Sequence, residues 1–570
     1  MIQDKKRVWF ASHRRRKRVE KVQIKCQKNM SYRGRPSKGC QMCRSRKVKC
    51  DETKPTCNRC RDASHECIYR DDFDLFFRDQ TESTARRAQK QRTRSQQPSV
   101  SPEPGSLTQA ETSRKDTSRS PSIPPRPSKE LNPTTSVTFS PELCQIVCDR
   151  FFFDYVLPQY PSDPCLGFLS GLPTLFQNST QDSALRTAVT AVAFANFAGR
   201  MSSTECETFG LRYYVSALNL MGQAIQDPQE VQSVETLLTA YLLGLYEGIT
   251  PGNTGEQGHS RITHKDGGSL LLSMKGPMQI RELIDLKFFG ITYLQMLVNC
   301  VTEGKRPQLN IGPMANYLDS LPDFQTLNKL FSLIHRTAEI VADWKDYKEL
   351  MVAPNTSLAN HLASTKQLLG RALSLDSELE DWDGSVRFHG SRWIYQVMQI
   401  GNLKDWEQEL MDYPGAPRAM HQYLDFAAPN YLNKYRASRI RLNGIILRLT
   451  QRMDTLSAMT SEGSDIGSSE NQARAQALIQ RLVDDICSSV LHLLVIPLPD
   501  KPTPKSTRDV CGIRGLNLLW PLVTSAKYLH LVGSNEAAER EQWTHQVLRF
   551  IRFDLGIGKA QVDLYESPEI

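Results

Sequence analysis

Six cysteines on a repeated spacing constrain this chain more than any other feature. Residues 40–50 read CQMCRSRKVKC and residues 57–67 read CNRCRDASHEC, so each segment leaves two and then six residues between its cysteines. The six thiols are Cys40, Cys43, Cys50, Cys57, Cys60 and Cys67. Each zinc ion in a structural site takes four ligands, so six thiolates serve two ions if two sulfurs are shared. The spacing therefore predicts a small domain held by two Zn²⁺ ions.

The rest of the sequence favours metal binding over disulfide bonds. No apolar run approaches the roughly 18–20 residues that span a bilayer, and no apolar segment follows the basic N-terminus as in a secretory signal. We therefore expect no membrane partner and a reducing compartment, in which clustered cysteines bind metal. A single zinc-ribbon site built from the two C-x2-C pairs leaves Cys50 and Cys67 without a role.

Charge is distributed unevenly along the chain. Residues 1–100 contain 28 Lys and Arg against 11 Asp and Glu, whereas residues 141–570 contain 38 against 47. We call residues 1–100 the head and residues 141–570 the body. Because the head is basic and the body is acidic, we expect the head, and not the body, to bind a polyanion such as double-stranded DNA.

The two cysteine segments differ in charge although they share their spacing. Between its cysteines the first segment carries four cations and no acid, namely Arg44, Arg46, Lys47 and Lys49. The second carries Arg59 and Arg61 against Asp62 and Glu66. Both segments hold metal, and we expect the helix of the first to enter the major groove. Arg44 and Lys49 are interpreted as phosphate contacts, and Arg35 and Lys38 as further backbone contacts.

Composition divides the chain into four regions. We expect residues 1–34 to be a basic, disordered extension, and the start-like sequence from Met30 suggests the hypothesis that residues 1–29 are a gene-model extension. Residues 35–70 form the metal domain, and residues 71–139 are a linker too poor in apolar residues to fold. Residues 140–570 show long helical periodicity and scarce strand patterns, which predicts a large all-α domain.

Three apolar stretches predict helices in this body. They lie at residues 185–194, 234–243 and 288–301. A fourth helix is predicted to begin at Ser140-Pro141-Glu142, with Leu143, Ile146, Val147 and Phe151 on one face.

Recognised catalytic motifs are missing from the sequence. It contains no P-loop, no G-x-S-x-G and no H-E-x-x-H, so we expect no enzyme activity. The alternative is an enzyme or ligand-binding helical protein in which the zinc cluster is a structural appendage.

The cysteine segment resembles the fungal binuclear zinc-cluster (Zn2Cys6) transcription factors. Every cysteine matches the family pattern, and Lys54-Pro55 falls where the family carries a proline between the halves. By this resemblance Cys40 and Cys57 bridge the two zincs. It also implies that Lys47, with Arg46 beside it, reads a CGG-type triplet.

Stretches of the body resemble the fungal-specific regulatory region that follows such clusters. They include residues 187–200, 242–247, 264–268, 275–277 and 435–442. The resemblance implies a nuclear regulator of RNA polymerase II transcription that contacts the transcription machinery and senses a small-molecule effector. Residues 71–91 lack a sustained coiled-coil repeat, so a homodimer would form through the helical body.

Overall fold

A computed structural model describes two compact units, the cysteine segment and the helical body. In the first it describes residues 42, 43, 46, 48, 50, 51, 53 and 57–63. In the second it describes residues 141–158, 168–250, 283–309, 325–351, 358–388, 391–460, 466–498 and 500–560. The predicted extension at residues 1–34 and linker at residues 71–139 lie outside these ranges.

The described parts of both units are mainly helical. The cysteine segment contains α1 (Asn58–Asp62). The body contains α2 (Pro141–Tyr155), α3 (Leu172–Asn178), α4 (Ala184–Met201), α5 (Thr204–Ala224), α6 (Val234–Ile249), α7 (Leu283–Glu303), α8 (Gln325–Met351), α9 (Leu358–Val386), β1 (Tyr395–Gln399), α10 (Asp405–Met411), β2 (Ala419–Tyr423), α11 (Ala427–Thr460), α12 (Ile466–Val495), α13 (Gly512–Leu529) and α14 (Asn535–Phe553). Short 3₁₀ turns cover Glu230–Gln232 and Thr507–Asp509. None of the described helices is long and apolar enough to span a membrane.

Serine side chains start four of these helices. The hydroxyls of Ser183, Ser203, Ser233 and Ser534 each accept a hydrogen bond from the backbone N–H three residues later, at 3.0–3.3 Å. Each serine satisfies an N–H group that the first helical turn leaves without a partner. Local sequence therefore fixes where α4, α5, α6 and α14 begin.

One continuous hydrophobic core runs through the body, from Val147 in α2 to Ala560 after α14. The three predicted apolar stretches lie within α4, α6 and α7 and contribute to it. The body is thus a single helical domain.

The predicted inner face of α2 is wrong at one position. Val147 and Phe151 are buried, but Ile146 is 55% exposed. Each residue of a helix is rotated about 100° from the previous one, and the buried stripe continues from Phe151 to Asp154 and Tyr155. Ile146 lies outside that stripe.

The body also contains two short strands that the helical periodicity did not predict. β1 pairs antiparallel with β2, with Tyr395 opposite Tyr423 and Val397 opposite His421. β2 packs on α12, where His492 Nε2 accepts a hydrogen bond from the Tyr423 backbone N–H at 3.4 Å. Burial lowers the pKa of His492 to about 4, so the imidazole is neutral at physiological pH and can accept this bond.

α11 lies at the centre of the body and packs against α8, α9, α12 and α13. Its Arg439, which is 1% exposed, donates to both carboxylate oxygens of Asp376 on α9, at 2.8 and 3.1 Å. Arg514 of α13 is fully buried and donates to the carbonyl oxygens of Leu493 and Ile496, at 2.8 and 2.7 Å. These carbonyls belong to the C-terminal end of α12, so a buried guanidinium satisfies acceptors that the helix itself cannot.

A buried carboxylate, Asp154, joins α2 to two distant parts of the chain. It receives hydrogen bonds from Arg150 on its own helix and from Asn196 and Arg200 on α4, at 2.7–2.9 Å. It also accepts from the backbone N–H of Gly512, the first residue of α13, at 3.1 Å. Five hydrogen bonds from four residues to one fully buried side chain fix the relative positions of three helices.

We expect Asp154→Asn to lower the free energy of unfolding by about 3–5 kcal/mol, because it leaves the buried Arg200 guanidinium without its charge partner. The control is Asp149→Asn, an exposed position on the same helix, with an expected effect under about 0.5 kcal/mol. Urea unfolding of the full chain measures both. Equal unfolding midpoints for the two variants would contradict this role of Asp154.

Candidate metal centre and nucleic-acid interface

The second cysteine segment presents its C-x2-C pair at the start of a helix. Cys57 is the N-cap of α1, and its Sγ accepts a hydrogen bond from the Cys60 backbone N–H at 3.4 Å. Cys57 and Cys60 are 0% and 2% exposed. Metal binds the thiolate form of cysteine, and a sulfur in this position can accept an amide hydrogen bond while it binds metal.

The first cysteine segment contains a similar helical turn. The Arg46 N–H donates to the Met42 carbonyl at 3.2 Å, and the Val48 N–H donates to the Cys43 carbonyl at 3.0 Å. Cys43 is 2% exposed, whereas Arg46 is exposed. The turn directs a cysteine inward and a cation outward.

Sulfurs from the two segments converge. The Sγ atoms of Cys43 and Cys57 are 3.7 Å apart, and those of Cys43, Cys50 and Cys57 all lie within 4.8 Å of one another. A tetrahedral zinc with Zn–S bonds of about 2.3 Å places its sulfurs about 3.8 Å apart, so the Cys43–Cys57 distance matches one edge of such a site. The three sulfurs could therefore hold one metal ion together.

Cys57 occupies a special place in this arrangement. It lies next to two sulfurs of the first segment and also forms a C-x2-C pair with Cys60 in its own. A thiolate in this position can contact both metal ions. The bridging role that the resemblance implies for Cys57 stays a prediction, because Cys40 and Cys67 lie outside the described residues.

Asp51 organises the loop between the two segments, a role that the sequence reading missed. One carboxylate oxygen accepts hydrogen bonds from the Thr53 hydroxyl at 2.7 Å and from the Asn58 backbone N–H at 3.1 Å. These two donors hold the pKa of Asp51 below its usual value. The signal in the sequence was Asp51 followed two residues later by threonine, a pattern typical of side-chain-stabilised turns.

Several predicted site residues lie outside the described residues. They are the metal ligands Cys40 and Cys67 and the DNA contacts Arg35, Lys38, Arg44, Lys47 and Lys49. Of the predicted DNA contacts, the structure describes Arg46, and it is exposed.

Comparison with known proteins agrees with the geometry. Residues 38–74 match the fungal Zn(2)-Cys(6) binuclear cluster domain. The chain is 29% identical over 433 residues to transcription factor dbaG of Emericella nidulans, an alignment that covers 75% of this chain and 92% of that protein. It is 54% identical over 37 residues to transcription factor lfc1 of Flammulina velutipes, which covers 6% of this chain and 13% of that protein. No solved structure gives a significant match.

These findings identify a Zn2Cys6 domain that binds two zinc ions, followed by a largely helical remainder. An alignment of 433 residues necessarily includes much of the helical body. Together, the cluster domain and the transcription-factor relatives support a DNA-binding transcription factor rather than an enzyme.

We expect purified protein to contain two zinc ions per chain, measured by mass spectrometry of the metal content. Cys57→Ser should release more zinc than Cys43→Ser, because a bridging sulfur serves both ions and a terminal sulfur serves one. Cys144→Ser, a half-buried position in the helical body, is the control and should leave the zinc content unchanged. One zinc per wild-type chain would rule out the binuclear site.

Proposed function

We propose that this protein is a nuclear, sequence-specific regulator of RNA polymerase II transcription that reads CGG-type triplets through its first cysteine segment. The convergence of Cys43, Cys50 and Cys57 carries the proposal, because it makes the basic first segment part of a rigid metal cluster. In the full cluster Cys40 and Cys57 bridge the zincs, and Cys67 completes the second site.

A comparison of equivalent positions in the two segments supports the assignment of the reading helix. Shifting the first segment by 17 residues superposes its cysteines on those of the second. Lys47 then corresponds to Ser64 and Lys49 to Glu66, so the second segment lacks both cations. A polyanion would favour the first segment and be repelled at Glu66.

Individual roles follow from the chemistry of each side chain. Lys47, with Arg46 beside it, donates to the O6 and N7 acceptors of guanine in the major groove. Arg44, Lys49, Arg35 and Lys38 neutralise phosphates and fix the position of the cluster on the duplex.

The remaining parts of the chain have supporting roles in this proposal. The basic run at residues 13–18 suits nuclear import. The helical body regulates the DNA-binding head, contacts the transcription machinery, forms the homodimer and receives a small-molecule effector.

We expect Lys47→Ala to lose about 1–3 kcal/mol of binding to a CGG-containing site, the value of one good base contact, with little change for unrelated DNA. Gel-shift titration of the full chain, against sites selected from a random DNA library, measures this. Arg61→Ala removes one cation from the second segment and is the matched control. The assignment fails if Lys47→Ala binds the selected site as tightly as Arg61→Ala does.

Lys49→Ala should behave differently, because a phosphate contact carries no sequence information. It should weaken binding to all DNA sequences about equally and reduce the slope of log affinity against log salt by about one unit. Affinities measured at several salt concentrations give the slope. A loss confined to CGG sites would instead make Lys49 a base contact.

A further inference from the structure

A pocket of about 440 Å³ opens where the start of α8 meets the end of α9 and the turn before β1. Its volume falls in the range of about 300–1,000 Å³ typical of small-molecule sites. Neither the sequence motifs nor the proposed DNA-binding role accounts for it.

Aromatic side chains form one wall of the pocket. Trp382 of α9 and Trp393 of the turn lie edge to face, with ring centroids 5.9 Å apart and planes at 72°. Both are largely buried, at 0% and 7% exposure, so their positions are fixed by the core. Phe388, which is 64% exposed, lines the pocket beside them. The exposed Phe388 ring and the accessible edge of Trp393, which the buried Trp382 holds in place, suit a flat, aromatic ligand.

The polar lining of the pocket is cationic although the body as a whole is acidic. Lys329 and Arg392 line it, and none of its lining residues is acidic. Arg392 is paired with Asp425 at 2.7 Å. Lys329 is exposed and forms no ion pair with any described residue, and its neighbour Glu378 is bound by Arg336 at 2.7 Å. Lys329 is therefore available to a ligand anion.

The N-terminus of α8 reinforces this charge. Gln325 and Thr326, its first two residues, line the pocket, and its first turn contains no acidic residue. The positive end of the dipole of this 27-residue helix therefore faces the same space as Lys329.

We propose that this pocket binds a planar aromatic carboxylate, with the ring against Phe388 and the accessible edge of Trp393 and the carboxylate at Lys329 and the start of α8. That this ligand is the effector of the regulator rests on the proposed function. The binding itself is independent of DNA.

Contacts behind the pocket link it to the centre of the body. The Trp382 ring lies 5.1 Å from that of Tyr435 on α11, and the Tyr435 hydroxyl accepts a hydrogen bond from Arg439 at 2.9 Å. A ligand that contacts Trp393 is therefore linked, through Trp382 and Tyr435, to the buried Arg439–Asp376 pair that joins α9 to α11.

The experiment is calorimetric titration of the full chain with benzoate, indole-3-acetate and 2-naphthoate. A fragment of this size in a matching site is expected to bind with a Kd near 1 mM or below. The amide 2-naphthamide keeps the ring system of 2-naphthoate and removes its charge. We therefore expect 2-naphthamide to bind at least about tenfold more weakly, which corresponds to a loss of about 1.4 kcal/mol of binding free energy.

Two variants locate the site. Lys329→Gln should weaken carboxylate binding about 3–10-fold without changing 2-naphthamide binding, whereas Lys345→Gln, exposed on the same helix outside the pocket, should have no effect. Ser385→Phe fills the pocket from its exposed edge and should abolish binding, with the exposed Ser377→Phe on the same helix as its control.

The proposal is overturned if none of the three carboxylates binds below about 5 mM, or if Lys329→Gln and Lys345→Gln bind them equally. Equal affinity for 2-naphthoate and 2-naphthamide would overturn the anionic ligand class. Gel shifts on the same protein test DNA binding separately. Loss of CGG recognition with intact carboxylate binding would remove the proposed function and leave the ligand site.

Discussion

A structural zinc takes four ligands, and the head of this chain offers six thiolates for two ions. Sharing sulfurs between the two ions would bring the two cysteine segments together. Cys43 and Cys57 are 14 residues apart in sequence, yet their Sγ atoms lie 3.7 Å apart, a distance that suits two ligands of one metal ion. The buried cluster among the described residues of this segment consists of Cys43, Cys57 and Cys60, so we expect the segment to depend on metal for its rigidity. Only a rigid cluster can hold a basic helix in a fixed orientation against DNA.

In the body, the helices pack around one large hydrophobic core, and something has to fix their positions relative to one another. Apolar packing supplies most of the stability, but it is tolerant of sliding and rotation. Buried charged groups remove that freedom at three places. Asp154 joins α2, α4 and α13, Arg439 joins α11 to α9, and Arg514 joins α13 to the end of α12. Each buried charge stabilises the fold only if its hydrogen bonds offset its desolvation, so the geometry of those bonds is restricted.

In the body, the elements that were predicted correctly are those whose sequence pattern lies within one continuous segment. The apolar helices α4, α6 and α7 were found because their periodicity is complete within one segment. The prediction for Ile146 was wrong because the apolar face of one helix does not show which of its residues pack against neighbouring helices. Ile146 is exposed and the adjacent Val147 is buried. β1 and β2 were missed because five-residue strands carry a weak pattern, and their pairing is separated by α10.

The sequence by itself determined that the head holds two zinc ions, and its charge predicted a polyanionic partner. Cysteine spacing and charge are local properties, and metal coordination restricts what a given spacing can form. Tertiary structure alone decided which buried charges meet, and it alone created the pocket between α8, α9 and the turn before β1. Trp382 and Lys329 are 53 residues apart and share no motif. Their proximity comes from the packing of long helices, which many weak contacts determine together.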